Sequence, residues 1–257
     1  MSMSKFILWL AAIGFFAAVG YAQDQIPNPL TPATTVDQIL DDLKWRGDTL
    51  QSFTADVQLT HLDMSTADSS TDVGTVVFQK LPSGDSRIRV NFTAEIDGEQ
   101  KIDRHHEYTL ANGILVDRDY QKKIESDQHV VKPGQKINLF KLGEGPFPLP
   151  IGQSRDDVKE EFNVTRVAPA RDDPPNTVHL QLVPRPGSEF ADHYQQIDVW
   201  ADRADAMPVR ITTLDKSGAI SQTTDLSNIH LDAPVGDSDF ALPPVPGWTV
   251  NPGADQQ

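Results

Sequence analysis

In residues 86–96, Ile88, Val90, Phe92, Ala94 and Ile96 alternate with Arg89, Asn91, Thr93 and Glu95. Successive side chains of a strand point to opposite faces, so this period of two predicts a strand with one apolar and one polar face. The texture recurs along the chain: Phe53, Ala55, Val57 and Leu59 within 52–62, residues 74–80, then Val178, Leu180 and Leu182, then Ile197, Val199 and Ala201, then Val209, Ile211 and Thr213. A more polar alternation runs through Ile220, Gln222, Thr224 and Leu226 to Ile229 and Leu231. Turn residues separate these runs at 81–84, Asp97-Gly98 and 215–218, and Asn112-Gly113 between 104–111 and 114–118 is a strong hairpin signal. Residues 63–72 read as a polar loop, and Tyr120, Lys122 and Ile124 as extended chain. These rules predict nine to eleven strands. No helix intervenes between Phe53 and Ile124, which predicts an antiparallel meander.

Two stretches break the period. Val36, Ile39, Leu40 and Leu43 recur at helical spacing behind Thr35 and Gln38, the pattern of a capping box, with Gly47 as the stop. A helix over 36–46 is short and needs a surface to lie on. Residues 132–162 carry a different signal: Phe147, Leu149 and Ile151 stand among Pro146, Pro148 and Pro150. That proline spacing forbids a central strand or a helix interior, so the loop either plugs an apolar surface or exposes one. A short helix is expected over 154–162, and the proline-rich residues 240–250 close the chain.

Composition narrows the classes. Lys5 followed by the apolar run 6–19, with Gly20 and Ala22 at the −3 and −1 positions, predicts a signal peptide over 1–22. A proline-containing leader is expected over 23–34, one domain over 35–250 and a tail over 251–257. The 257 residues include no cysteine, so the fold is held by core burial alone. The net charge of −15 disfavours nucleic acid and anionic membranes as partners.

Candidate chemistry is sparse. Asp103-Arg104-His105-His106-Glu107 is the best metal candidate, yet on a strand His105 and Glu107 share one face while His106 takes the other. His61, His129, His179, His193 and His230 have no motif spacing. There is no nucleophile elbow, no thiol and no phosphate-binding glycine loop. The sequence therefore predicts a protein without catalytic residues, metal or cofactor. On pattern alone the apolar faces fill a closed barrel, or line a hollow under a removable cover.

Five stretches carry a resemblance. They are Ser52 to Gln58 (SFTADVQ) after an N-terminal helix, Gly74 to Pro82 (GTVVFQKLP), Leu110 to Tyr120 (LANGILVDRDY), Leu180 to Pro184 (LQLVP) and Asp239 to Val250. In this order, behind a signal peptide, they resemble the outer-membrane lipoprotein carrier (LolA-like) family. The resemblance implies a mainly β (α+β) fold, an incomplete, strongly curved antiparallel β-barrel with helices and the proline-rich loop over its open concave side. It implies a periplasmic carrier or chaperone that holds lipoprotein acyl chains, or other lipid, for transfer towards the outer membrane. The partners so implied are an inner-membrane donor transporter and an outer-membrane acceptor, with the carrier a monomer. Such a carrier needs a greasy hollow and no catalytic group, since each buried acyl methylene is worth roughly 0.8 kcal/mol. The expected lining is Leu40 and Leu43 from the helix and Val57, Leu59, Phe78, Ile88, Val90, Phe92, Leu180, Leu182, Val199 and Ile211 from the sheet. Phe147, Leu149 and Ile151 form the expected lid. The family's lid-holding arginine is replaced by Leu81, Asn112 stands for an aspartate, and Val116 for an aromatic residue. The alternative is a lipid-sensing regulatory module on the same scaffold that binds a protein partner.

Overall fold

A computed structural model describes residues 29–129 and 152–252. The predicted signal peptide and the lid residues Phe147, Leu149 and Ile151 lie outside the described residues.

The fold is mainly β. Helix α1 (Val36–Thr49) leads into β1 (Ser52–Asp63), β2 (Asp68–Lys80), β3 (Ser86–Asp97), β4 (Gln100–Ala111), β5 (Ile114–Asp119) and β6 (Ile124–His129). Helix α2 (Arg155–Glu161) then opens a second run: β7 (Phe162–Val167), β8 (Thr177–Pro184), β9 (Tyr194–Asp202), β10 (Pro208–Asp215), β11 (Ile220–Leu231) and β12 (Thr249–Asn251). All twelve strands form one sheet in the order β12-β6-β5-β4-β3-β2-β1-β11-β10-β9-β8-β7. Pairing is antiparallel throughout except β12 against β6. The outermost strands β7 and β12 do not pair with each other, so the sheet is open rather than a closed barrel.

Two meanders meet at a central seam where Phe53 faces Leu231 and Leu59 faces Thr224. Across the sheet, Leu110 on β4 and Leu180 on β8 belong to one buried cluster with Ile39, Leu40 and Leu43 of α1. Those strands are seven steps apart, roughly 34 Å at the usual strand spacing. A single cluster spanning that distance requires the sheet to curl around α1.

The helix caps as its sequence dictates. Thr35 Oγ1 accepts from Gln38 N–H (3.3 Å) and Thr35 N–H donates to Gln38 Oε1 (2.9 Å). The helix does not stop at Gly47, however, but runs to Thr49 with Leu50 as its cap. Gly47 instead lies where the backbone of Gly152 comes close: a Cβ on Gly152 would lie 3.5 Å from Gly47 Cα.

Other expectations shift in the same way. β2 begins at Asp68, inside the expected loop, because Asp68 to Thr71 complete the ladder with β1 although their side chains are polar. Tyr120 to Lys123 form a turn rather than extended chain, with Lys123 at φ 54°, and β6 returns beside β5. β7 and β12 carry no clean alternation and were not expected. The hairpin at Asn112-Gly113 has positive φ at both residues (52° and 80°), as a two-residue turn of this kind needs.

Candidate functional site

One face of the sheet, called inner here, is built by register. Phe53 faces Phe78, Phe78 faces Ile88, Ile88 faces Leu110 and Leu110 faces Leu115. In the second meander Leu180 faces Val199 and Val199 faces Ile211, while Leu182 faces Ile197. Phe53 and Phe78 stack at 5.6 Å, and Phe92 meets Tyr108 edge to face at 6.4 Å. Of the predicted lining residues, Leu40, Leu43, Val57, Phe78, Ile88, Val90, Phe92, Leu180, Leu182, Val199 and Ile211 are all buried in one apolar cluster, and Leu59 packs half-buried against it. The structure thus brings all twelve to one face and its helix.

Helices α1 and α2 lie over this face. At 1.5 Å per residue they span about 21 and 10 Å. They are joined by two exposed ion pairs in register, Asp37 with Lys159 (2.5 Å) and Asp41 with Arg155 (3.1 Å). The Lys159 ammonium, by its hydrogen bond, holds the Asp37 carboxyl below the usual carboxylate range. Further ties fix α1 to the sheet. Arg46, buried on the last turn, donates from Nε to the Asp205 carbonyl at 2.7 Å. Arg166 of β7 donates to the carbonyls of Pro32 and Thr34 (2.6 and 2.9 Å). Leu30, in the expected leader, is itself buried in the cluster, and its N–H donates to the Arg203 carbonyl.

The inner face is not apolar throughout. Beyond Val90 and Phe92 the register leads to Tyr108, His106 and Asp117. His106 Nε2 lies 2.5 Å from Asp117 Oδ1, and its ring stacks on Tyr108 at 4.5 Å. Burial, reinforced by the Asp117 charge, pushes the Tyr108 phenol up to about 12. Next to Leu59 stand Asp72 and then Glu95, the latter paired with Arg104 at 2.6 Å. Burial raises Asp72 above the usual carboxylate range. The apolar region therefore ends at a corner of charged pairs near the tips of β2 to β5. Tyr108, His106, Asp117 and Asp72 continue the alternation of Leu110, Leu115 and Phe78, whereas Glu95 takes the inner face only past the bulges at Val73/Gly74 and Phe92/Ala94.

The outer face carries a second arrangement that sequence reasoning missed. Asn91, Glu107, Arg118 and Glu125 succeed one another across β3 to β6. Glu107 is fully buried, accepts from Tyr120 Oη at 2.8 Å and is in ionic contact with Arg89, whose Nε and Glu107 Oε1 are not aligned as a hydrogen bond. Arg118 Nε pairs with Glu125 Oε2 at 2.6 Å. His105 stacks on Tyr120 at 3.5 Å with Nε2 2.7 Å from Asn91 Oδ1, and burial pushes the ring below the ordinary histidine value. The metal candidate is thus divided between the faces and committed to these bonds. Among the described residues no group of three or more His, Asp or Glu could hold a metal ion.

Residues 232–248 cross this outer face from β11 to the far edge. Gln79 donates to the Val235 carbonyl (3.3 Å), Arg87 to Asp237 Oδ1 (2.8 Å) and Arg89 to the Asp239 carbonyl (3.1 Å). The Arg87 guanidinium covers the Phe240 ring at 4.1 Å, and Trp248 meets Tyr120 edge to face at 4.9 Å. Leu242, Val245 and Trp248 are half-buried and the residues between them exposed. Two hollows of about 400 Å³ lie elsewhere, one at the strand tips around His61, Asp63, Asp97 and Ile220, the other between the leader and α1. Neither contains a predicted lining residue.

No family model matches the chain, and no curated protein matches it. Solved structures are similar in fold at low identity. A conserved protein of uncharacterised function from Thermus thermophilus is 13% identical, with 84% of this chain and 97% of that chain covered and a TM-score of 0.48. The Pseudomonas aeruginosa MucA/MucB complex contains a chain 14% identical, with 80% of this chain and 60% of that one covered and a TM-score of 0.46. An outer membrane lipoprotein-sorting protein domain from Vibrio parahaemolyticus is 13% identical, with 79% and 94% covered and a TM-score of 0.34.

Proposed function

We propose that the chain binds acyl chains of lipid or lipoproteins between the inner sheet face and its helical cover, and carries them through the periplasm towards the outer membrane. The observation that supports this most is a mismatch of size. An open sheet of twelve strands turns an apolar face, bounded by a charged corner at the tips of β2 to β5, towards two helices of about 21 and 10 Å. The helices are joined to each other by exposed ion pairs of the kind that contribute little. An apolar ligand entering here would take the place of Ile39, Leu40 and Leu43 of α1 against the sheet and would have to open the ties at Arg46 and Arg166. Tyr108, His106 and Asp117 at the edge of the apolar region would face the polar end of such a ligand. Binding, in this reading, needs no catalytic residue and no cofactor.

Lipid extraction and mass spectrometry of the protein purified from its native host test the reading. Co-purifying lipid or lipoprotein is the expected result, and its absence even after crosslinking sinks the carrier. Phe92→Glu should reduce binding of a fluorescent fatty acid at least tenfold while circular dichroism is retained. Val183→Glu, on the exposed side of β8, should leave binding unchanged. If Phe92→Glu unfolds the chain, the inner face is closed core. A second reading, a lipid-sensing module that reports occupancy to a protein partner, is favoured by the segment seated on the outer face.

A further inference from the structure

We infer that the charged corner of the inner face is a headgroup site that selects lipids whose polar end presents a primary ammonium over lipids with an anionic head. This rests on the inner face being a lipid site, and adds which head that face accepts.

The corner begins where the apolar face is least covered. Leu59, Tyr108 and Leu115 are half-buried against the apolar cluster, whereas Val57, Val90 and Leu110 beside them are buried within it. An aliphatic chain lying on the half-buried strip brings its polar end to Asp72, which faces Leu59, and to Asp117, which faces Tyr108. Glu95 lies next to Asp72 on this face, and Asp119 stands opposite His106. The carboxylates thus border an apolar surface and are not simply part of an acidic exterior.

Negative charge is in excess here. Asp72, Glu95, Asp117 and Asp119 share the corner with two permanent cations, and both are taken: Arg104 by Glu95 at 2.6 Å and Lys122 by Asp119 at 2.9 Å. His106 Nε2 occupies Oδ1 of Asp117 and leaves Oδ2 free. The Asp72 side chain is only 21% exposed, yet it makes no hydrogen bond, and His61 Nε2 stands off at 3.9 Å. Burial raises its carboxyl, the mark of a charge held out of water without a donor. Tyr108 Oη has no hydrogen-bond partner either, although its ring is fixed against Phe92 and His106, and the charges of Asp117 and Asp72 both act on it. An ammonium offers three N–H donors and no acceptor. Asp72, Asp117 Oδ2 and Tyr108 Oη are the acceptors it lacks in an apolar setting. A carboxylate or phosphate in the same place meets like charge.

The test titrates the full chain by calorimetry at neutral pH with decylamine, decanoate and decyltrimethylammonium, each below its micellar concentration. Decylamine should bind at least tenfold more tightly than decanoate. It should also bind at least fivefold more tightly than decyltrimethylammonium, which carries the same charge but no N–H. Asp72→Asn should bring decylamine and decanoate to within threefold of each other, while Glu189→Gln, which removes an exposed carboxylate elsewhere, should keep the tenfold preference. Equal binding of decylamine and decanoate, or of the two cations, overturns the proposal. So does a preference that survives Asp72→Asn, or one that falls equally in Glu189→Gln, the mark of net charge alone. Should Asp72→Asn lose its β-sheet circular dichroism, Tyr108→Phe decides. It keeps the ring and should weaken decylamine at least threefold with decanoate unchanged; an unchanged decylamine affinity overturns the proposal. Lysophosphatidylethanolamine should likewise bind more tightly than lysophosphatidylglycerol of the same chain, and the reverse order overturns it. If no amphiphile binds, the inner face is not a lipid site and both readings fall. Binding of decanoate and decylamine without preference spares the lipid site and sinks the headgroup site alone.

Discussion

Gly74 stands opposite Val57 on one side and Phe92 on the other, at the bulge that separates β2 from regular pairing with β3. A Cβ there would collide with the Asn91 carbonyl and lie 2.7 Å from Phe92 Cα. The neighbours are backbone and cannot swing aside. Gly74→Ala should therefore destabilise the protein by about 1–3 kcal/mol, the usual range for overpacking, read as a lower urea midpoint. Glu107 is the other residue whose neighbours leave no latitude. It is fully buried, and both Arg89 and Tyr120 turn to its carboxylate. Glu107→Gln leaves the Arg89 guanidinium facing a neutral group, and breaking a buried pair in this way costs about 3–5 kcal/mol. Nothing in the sequence distinguishes Glu107 from a solvated glutamate. Its importance comes from Tyr120, which the chain brings back through a turn, and a turn without glycine or proline gives little signal.

At the scale of elements, α1 is held at each end by a different kind of contact. Arg46→Met keeps the apolar stem of a buried side chain but removes the donor to Asp205. The cost expected for the stranded carbonyl is about 1–3 kcal/mol, measured by denaturation. At the other end Asp37 is held below the usual carboxylate range by Lys159. A carboxyl lowered in the folded state contributes stability above its unfolded value, about pH 3.9, and that contribution is lost as pH falls through the folded value. The protection of α1 amides relative to their intrinsic exchange rates should accordingly fall as the pH drops below about 4, and Asp37→Asn should remove this acid-dependent step.

The sequence announced α1 through Thr35 and Gln38, and the β4–β5 hairpin through Asn112-Gly113, because each of those residues satisfies its neighbours within a few positions. It announced β3 because one face is apolar and the other polar. It did not announce the first residues of β2, whose Ser69, Ser70 and Thr71 are strand only because β1 lies beside them. It did not announce the path of residues 232–251 either, since prolines are compatible with any extended route, and only Arg87, Arg89 and Tyr120 together fix this one. The inner-face site was legible as a set of apolar residues. Its charged corner was not, because Glu95 turns inward only past a bulge, and nothing in the sequence marks His106, Asp117 or Asp72 as inward rather than solvated polar residues.

For the whole molecule, the proposed ligand makes a thermodynamic demand. A lipid that binds only the folded chain stabilises it by about 2.7 kcal/mol at a free concentration a hundred times Kd. For a chain of this size that corresponds to several degrees in Tm. A monomeric fatty acid below its micellar concentration should raise Tm in differential scanning fluorimetry, and Phe92→Glu should abolish the rise. If both proteins shift alike, the fatty acid acts on some other surface.

The seam between β1 and β11 has a consequence for how the molecule comes into being. Ser52 Oγ donates to the Ala233 carbonyl 181 residues further along, and the two strands pair along nearly their whole length. The first meander can zip from one neighbour to the next as the chain emerges, since β1 to β6 are joined by turns. The long edge of β1 then waits, unpaired, until the last quarter of the polypeptide has been made. Pairings that span so much chain are slow to form. Refolding should therefore show an early phase in the first meander and a late one that closes the seam, and in the interval the open edge of β1 is the place where the half-made sheet is exposed to wrong partners.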